Sequence, residues 1–257
     1  MTSSQPTRIY ITGVSSGIGR ALALHYAAPG VTLGLLARRE DRLKELEREC
    51  TAKGATVFLY PLDVTDRAGM AESARHFSTA SDGADLVIAN AGTTNYGHTR
   101  RAYLDIEAIN RVLEVNLIGA VNTITPFLKH AMDNGRSIHV AAVGSVAGFR
   151  GMPNGGYSAS KAGLKTMMDT WRLVLGRRGM RFTTICPGFT ESEMTAGDVF
   201  APSRMLPASA AAALIARALA RSKKTFVFPA RYRPVVALLP WIPDALFRLA
   251  IRGKIED

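Results

Sequence analysis

The stretch from Arg8 to Ala28 reads RIYITGVSSGIGRALALHYAA. After Arg8 its first residues are β-branched, aromatic or apolar, the composition of a short buried strand, and RALALHYAA at its other end favours helix. Between the two stand Gly13, Gly17 and Gly19. A chain that leaves a strand and enters a helix within so few residues must turn tightly, and glycine allows the backbone angles and the close approach that this needs. The first N–H groups of the ensuing helix have no intrahelical partner and attract an anion such as a pyrophosphate. The stretch therefore predicts a strand, a phosphate-binding turn and a helix at the start of a nucleotide-binding α/β fold. Its glycine spacing departs from the G-x-G-x-x-G of many dinucleotide folds.

The same alternation continues along the chain. VTLGLLA from Val31, ATVFLY from Ala55, DLVIA from Asp85, SIHVAAVGS from Ser137, RFTTIC from Arg181 and KTFVFPA from Lys224 read as six further buried strands. Helical patterns separate them. REDRLKELEREC carries Leu43, Leu46 and Cys50 on one face and ends at Gly54, and VTDRAGM opens another helix with Thr65 or Asp66 as its cap. One long helix is expected from about Asp105 to Met132, another from Tyr157 through Trp171 to about Gly176, and an alanine-rich one in PASAAAALIARALARS. Strands alternating with helices throughout predict a Rossmann-type, doubly wound parallel seven-stranded sheet with helices on both faces in a single domain. The expected boundaries are 1–230 for the α/β domain, in which residues 193–207 hold no strong periodicity, and 231–257 for a C-terminal apolar and basic extension packed on the same domain or on a partner.

With 257 residues and 47% hydrophobic content the chain can build one large core. Cys50 and Cys186 form no C-x-x-C pair and have no zinc-like cluster beside them, so no metal site is expected and a reducing, cytoplasmic compartment is the simplest inference. MTSSQPT has no apolar signal region, and no uncharged run approaches the roughly 20 residues that span a bilayer. A soluble or peripheral protein is expected. The net charge is +11, and residues 172–257 hold 14 Lys and Arg against 6 Asp and Glu. Without a recognisable nucleic-acid-binding motif that bias does not argue for nucleic acid.

A second stretch carries chemistry: Ser145-VAGFRGMPNGG-Tyr157-SAS-Lys161. Tyr157 and Lys161 are spaced i, i+4 and would share a helix face one turn apart. A tyrosine hydroxyl of pKa about 10 is a poor acid or base at neutral pH, and a neighbouring ammonium favours its phenolate. Ser145, on another segment, could donate a hydrogen bond to the same reacting oxygen. Thr12-Gly13-x-x-x-Gly17-x-Gly19 together with Tyr157-x-x-x-Lys161 resembles the classical short-chain dehydrogenase/reductase family, in order and in separation.

That resemblance, which extends from residue 8 to about 228, implies the strand order 3-2-1-4-5-6-7, a catalytic domain over 1–230 with a variable substrate lid at 189–207, and a reduction or oxidation at a ketone or secondary alcohol. It implies catalytic roles for Asn116, Ser145, Tyr157 and Lys161. Lys161 would hold the nicotinamide ribose, and Asn116 would order a water near it. The cofactor contacts it implies are Ser15, Ser16 and Ile18 within the glycine turn, Asp63 and Val64 at the adenine, Asn90-Ala91-Gly92 after the fourth strand, and Pro187-Gly188 beneath the nicotinamide. The carboxamide hydroxyl falls at Ser192, with Thr190 as a rival. Asn90 could equally bind neighbouring strands together. His139, inside a strand, reads as structural. All four catalytic positions are filled, which favours an enzyme over a silent NADPH-binding regulator or a membrane-surface scaffold.

At the end of the second strand, where a carboxylate would bind the ribose 2′-hydroxyl of NAD(H), stands Ala37, followed by Arg38 and Arg39. A forked, permanent cation there suits a 2′-phosphate, so NADP(H) is preferred over NAD(H). The expected partners are a small carbonyl or alcohol substrate, apolar or lipid-like, and further copies of the chain in a homodimer or homotetramer. PVVALLPWIP and DALFRLAIRGK, with Leu246, Leu249 and Ala250 on one side and Arg248, Arg252, Lys254 and Trp241 nearby, leave three readings: a pocket wall, a subunit interface or a peripheral membrane contact.

Overall fold

The computed structural model of the chain describes residues 5–94, 104–152, 154, 156–195 and 205–252. Seven strands form: β1 (Arg8–Thr12), β2 (Thr32–Ala37), β3 (Thr56–Pro61), β4 (Leu86–Ala89), β5 (His139–Val143), β6 (Arg181–Pro187) and β7 (Thr225–Phe228). All pair in parallel, in the order β3-β2-β1-β4-β5-β6-β7. The winding direction reverses between β1 and β4, and the carboxyl ends of the strands there border the crevice in which open α/β sheets bind ligands.

Strand periodicity builds the two layers on either side of the sheet. Ile9 and Ile11 point to one face, where they join the core under α1 (Gly17–Tyr26), α2 (Glu40–Ala52) and, late in the chain, a helix over Ala208–Ala220. Tyr10 points to the other, under α3 (Arg67–Ala80) and the helices that succeed it. Its ring lies 5.5 Å from Phe77 and 4.8 Å from Phe127, and its hydroxyl pairs with Ser73 Oγ at 2.7 Å, so a buried phenol is left with its hydrogen bond made. Asp66 caps α3 by accepting from Gly69 N at 3.0 Å, which settles the choice between Thr65 and Asp66.

The helix expected to run unbroken from Asp105 to Met132 does not. It comprises α4 (Ile106–Leu113), a π turn over Glu114–Ile118 and α5 (Gly119–Asp133). A π turn accommodates one extra residue and so rotates the next helical segment around the axis. Here the residue at its centre is Asn116, which is wholly buried.

Next come α6 (Gly156–Leu175), α7 (Ala208–Ala220), α8 (Tyr232–Leu238) and α9 (Asp244–Ile251). The last two lie beyond β7. Tyr232 packs its ring against Gly188, where a Cβ would come within 2.4 Å of it, and Val236 is buried. Arg150 pins the segment from below: it donates to the carbonyls of Leu239, at 2.8 Å, and Ile242, pairs with Asp244, and stacks 4.3 Å from the centre of the Phe247 ring. Of the lid expected at 189–207, residues 196–204 lie outside the described residues, as do 253–257 at the chain end, Lys254 among them. His139 is buried in β5 and shares a hydrogen bond with Thr183 at 2.9 Å.

Candidate active site

A cleft of about 230 Å3 opens at the carboxyl ends of the strands. The glycine turn gives it Gly13, Ser15, Ser16, Gly17 and Ile18; the ends of β2 and β3 bring Ala37, Arg38, Asp63 and Val64; and the segment after β4 brings Asn90, Ala91 and Gly92. Tyr157 and Lys161 reach it from α6, and Pro187, Gly188, Thr190 and Ser192 from the end of β6 and beyond. Gly13 has φ +70°, and a Cβ there would lie 2.6 Å from Ala91 Cα, so this position admits no side chain. Ser16, the residue before α1, makes no side-chain capping bond, so it competes with no anion for the first-turn N–H groups.

Thr12 and Gly19, expected among the cofactor contacts, stand behind the cleft wall. Thr12 is fully buried, and its Oγ1 accepts from the N–H groups of Asn90 at 3.1 Å and Ala91 at 3.2 Å. The Asn90 amide donates in return to the carbonyls of Thr12 at 2.9 Å and Gly13 at 3.0 Å. Asn90 thus ties β4 to the glycine turn, the structural role expected of it, and it also lines the cleft. Gly19 is buried beneath the Gly13 carbonyl, with no room for a Cβ.

At the β2 end the last strand position holds Ala37 rather than a carboxylate, and Arg38 and Arg39 follow it. Arg38 is exposed on the cleft, 3.4 Å from the Asp63 carboxylate. Partial burial pushes the Asp63 carboxyl up, but bonds from the Thr65 N–H and hydroxyl and the nearby Arg38 outweigh it and hold the group below its ordinary range. Arg39 does not line the cleft. It donates to Ser15 Oγ at 3.0 Å and to Glu193 Oε2 at 2.8 Å. That bond from Arg39 holds the Glu193 carboxyl below its usual range.

At the α6 end Lys161 Nζ sits 5.7 Å from the centre of the Tyr157 ring and donates to the Val143 carbonyl at 2.8 Å. Burial pulls the Lys161 ammonium down to about 8. Cys186 is its near neighbour, but burial pushes that thiol up to about 12, so it stays protonated and offers no counter-charge at neutral pH. Asn116 and Ser145 lie beside the cleft rather than on its wall. Asn116 Oδ1 accepts from Thr93 N at 2.7 Å, and its Nδ2 donates to Thr93 O and Ser160 Oγ, both at 3.0 Å. Gly92 keeps space between Asn116 and Lys161: a Cβ on it would lie 3.2 Å from Asn116 Oδ1 and 3.5 Å from Lys161 Nζ. Ser145 caps a 3₁₀ turn over Val146–Phe149, its Oγ accepting from Ala147 N at 3.1 Å.

The two rival hydroxyls after β6 differ in their partners. Ser192 Oγ is engaged with Thr195, at 3.2 Å to its hydroxyl and 3.3 Å to its N–H, whereas Thr190 Oγ1 is buried without a partner and its residue lines the cleft. Sequence reading missed Thr93, Arg111, Val115, Met194 and Thr195, all of which line the cleft. Arg111 and Val115 are i, i+4 on the helix that carries Asn116, and a helix-face reading would have reached them. Thr93 directly follows the Asn90-Ala91-Gly92 triplet.

The family model for short chain dehydrogenases matches residues 7–199. An uncharacterized oxidoreductase of Myxococcus xanthus is 36% identical over 243 residues, covering 94% of this chain and 95% of that protein. A short chain dehydrogenase/reductase from Burkholderia phymatum, solved in complex with NAD, has the same fold with a TM-score of 0.80 at 24% identity, over 90% of this chain and 91% of that one. An alcohol dehydrogenase from the archaeon Thermococcus sibiricus, complexed with 5-hydroxy-NADP, gives a TM-score of 0.76 at 26% identity, over 88% and 97%. The chain belongs to the short-chain dehydrogenase family. By that membership it is an oxidoreductase.

Proposed function

We propose that the protein is an NADP(H)-dependent reductase or dehydrogenase that interconverts a ketone and a secondary alcohol, with an apolar, lipid-like substrate. The observation that carries this reading is the convergence of Tyr157 and Lys161 on the cleft that the glycine turn also lines. The residues present fit a dinucleotide. Gly13 and Gly17 with the start of α1 suit its pyrophosphate, and Asp63 and Val64 its adenine. Of the three N–H donors on the buried Lys161, Val143 takes one, and the others suit ribose hydroxyls. The partnerless Thr190 hydroxyl suits a carboxamide better than the engaged Ser192 does. When bound, the nicotinamide supplies or accepts the hydride at the carbonyl carbon.

In the reductive direction Tyr157 gives its proton to the carbonyl oxygen, and Ser145 steadies that oxygen through its hydroxyl. Lys161 favours the phenolate so formed. The gap that Gly92 leaves between Lys161 and Asn116 is a route by which Tyr157 regains a proton. Preference for NADP(H) rests on Ala37 with Arg38: no carboxylate receives a 2′-hydroxyl, and an exposed guanidinium faces the cleft. Val115 and Met194 on the wall suit an apolar substrate. Exposed Ile118, Leu173 and Val174 suit a homodimer or homotetramer, and the buried free thiols of Cys50 and Cys186 suit a cytoplasmic setting.

The test is NADPH oxidation against a panel of small and bulky ketones, with Tyr157→Phe as control. Turnover by the wild type, with a loss of about a hundredfold or more in the variant and NADPH binding retained, is the expected result. Tight NADPH binding with no turnover on any ketone would instead favour a nucleotide-binding regulator.

A further inference from the structure

The C-terminal helices carry apolar residues on the side turned away from the body of the protein. In α9 the half-buried residues are Phe247, held against Arg150, and Ile251. At 100° per residue the opposite side of the helix is Leu246 and Leu249, which are 59% and 68% exposed. α8 repeats the arrangement: Val236 is buried, whereas Leu238 is 62% exposed, and Trp241 just beyond it is 83% exposed. Pocket cover is not their work, because Tyr232 and Val236 face inward and these side chains do not.

Their flanks are cationic. Residues 231–252 hold four arginines, Arg231, Arg233, Arg248 and Arg252, against one acid, Asp244, whose carboxylate is already paired with Arg150. A second copy brought face to face on this surface would oppose arginine to arginine, and like charges held together in an interface cost affinity. A surface of anionic phospholipid headgroups complements the arginines and at the same time receives leucine and tryptophan side chains. No helix among the described residues is long and apolar enough to cross a membrane, so the contact is one of lying on the surface.

We propose that α8, α9 and Trp241 form an interfacial anchor that seats the protein on an anionic lipid bilayer, with Leu246, Leu249 and Trp241 entering the headgroup boundary. This side of the molecule also holds Tyr232 against Gly188 at the cleft, so a lipid-borne substrate would be offered close to the site. The anchor itself does not depend on the enzymatic reading.

The test is co-sedimentation of the full chain with phosphatidylcholine vesicles, with and without about 30 mol% phosphatidylglycerol, at low and high salt. Binding to the anionic vesicles at least about tenfold stronger than to the neutral ones, and weakened by salt, is the expected result. A Trp241→Ser, Leu246→Ser, Leu249→Ser variant should lose about tenfold of that binding while keeping its thermal midpoint and its rate on a small water-soluble ketone. Arg233→Gln with Arg248→Gln should erase the preference for anionic lipid. Failure of the wild type to sediment with anionic vesicles at low salt overturns the proposal, as does a serine variant that binds like the wild type. Self-association that the serine variant abolishes, without vesicle binding, would assign the face to a second copy and overturn it too. The vesicle-binding readouts and the thermal midpoint do not depend on turnover of any ketone, so they stand apart from the enzymatic reading.

Discussion

Arg38 and Arg39 are neighbours in sequence and differ in what they can offer a phosphate. Arg38 faces the cleft with only a long contact to Asp63, whereas Arg39 is tied to Ser15 and to Glu193. A charge-assisted contact to a phosphate is typically worth about 1.5–3 kcal/mol. Arg38→Ala should therefore weaken NADPH by about ten- to a hundredfold in titrations of quenching or turnover, and NADH by far less. Equal losses for the two cofactors would remove Arg38 from the phosphate. Glu193 gives a complementary prediction. Its carboxylate holds Arg39, which also donates to Ser15 of the glycine turn, and a 2′-phosphate would draw on the same guanidinium. Glu193→Gln should tighten NADPH by about two- to fivefold, the modest scale of an exposed ion pair, and leave NADH nearly unchanged. Weaker NADPH binding in that variant would make Glu193 a support of the turn rather than a competitor.

At the level of elements, β5 contains a pH-sensitive strut. His139 is buried beside Arg181, and burial first, with Arg181 adding to it, pulls its imidazole down to about 4. The unfolded chain protonates this residue near its ordinary value of about 6.5 while the folded one does not, so stability falls as pH drops from about 6.5 to 4. His139→Gln can still bond Thr183, and its thermal midpoint should vary less with pH over that window than the wild type's; identical slopes would mean that other groups govern acid sensitivity. The seven strands were legible because each is a short apolar run between turn signals, and a fully parallel sheet buries both faces of such runs. The π turn was not legible. Local pattern places Asn116 in a helix, but its burial between Thr93 and Ser160 is set by two segments far away in the chain. The same applies to Thr190 and Ser192: both hydroxyls are visible in the sequence, and only the fold leaves one engaged and the other without a partner. Thr12 and Gly19 fit the motif so well that contact was expected of them, yet the backbone approach they allow places them behind the wall.

At the scale of the whole molecule, Lys161 sets its proposed role at the cofactor against stability. Its ammonium is buried, one carbonyl bond is formed, and the neighbouring Cys186 thiol stays neutral. Its folded pKa of about 8 lies below the ordinary value of about 10.5. Between these two values the unfolded chain binds more protons than the folded one, so this group's contribution to stability improves as pH rises through the window. Below about pH 8 both states are charged and the full cost applies, on the order of 3 kcal/mol from the size of the shift. Lys161→Met replaces the ammonium by an apolar chain of similar length. Despite the lost bond to Val143, the variant should be more stable than the wild type by about 1–3 kcal/mol in urea unfolding at pH 7, with the difference shrinking towards pH 10. Its turnover should fall by orders of magnitude at every pH, and its affinity for the cofactor should fall with it. A Met variant that is less stable than the wild type at pH 7 would mean that the buried ammonium is well satisfied by groups around it. A gap that stays constant from pH 7 to pH 10 would mean that Lys161 titrates alike in the folded and unfolded chain, and the reading of a strained, cofactor-seeking ammonium would fall.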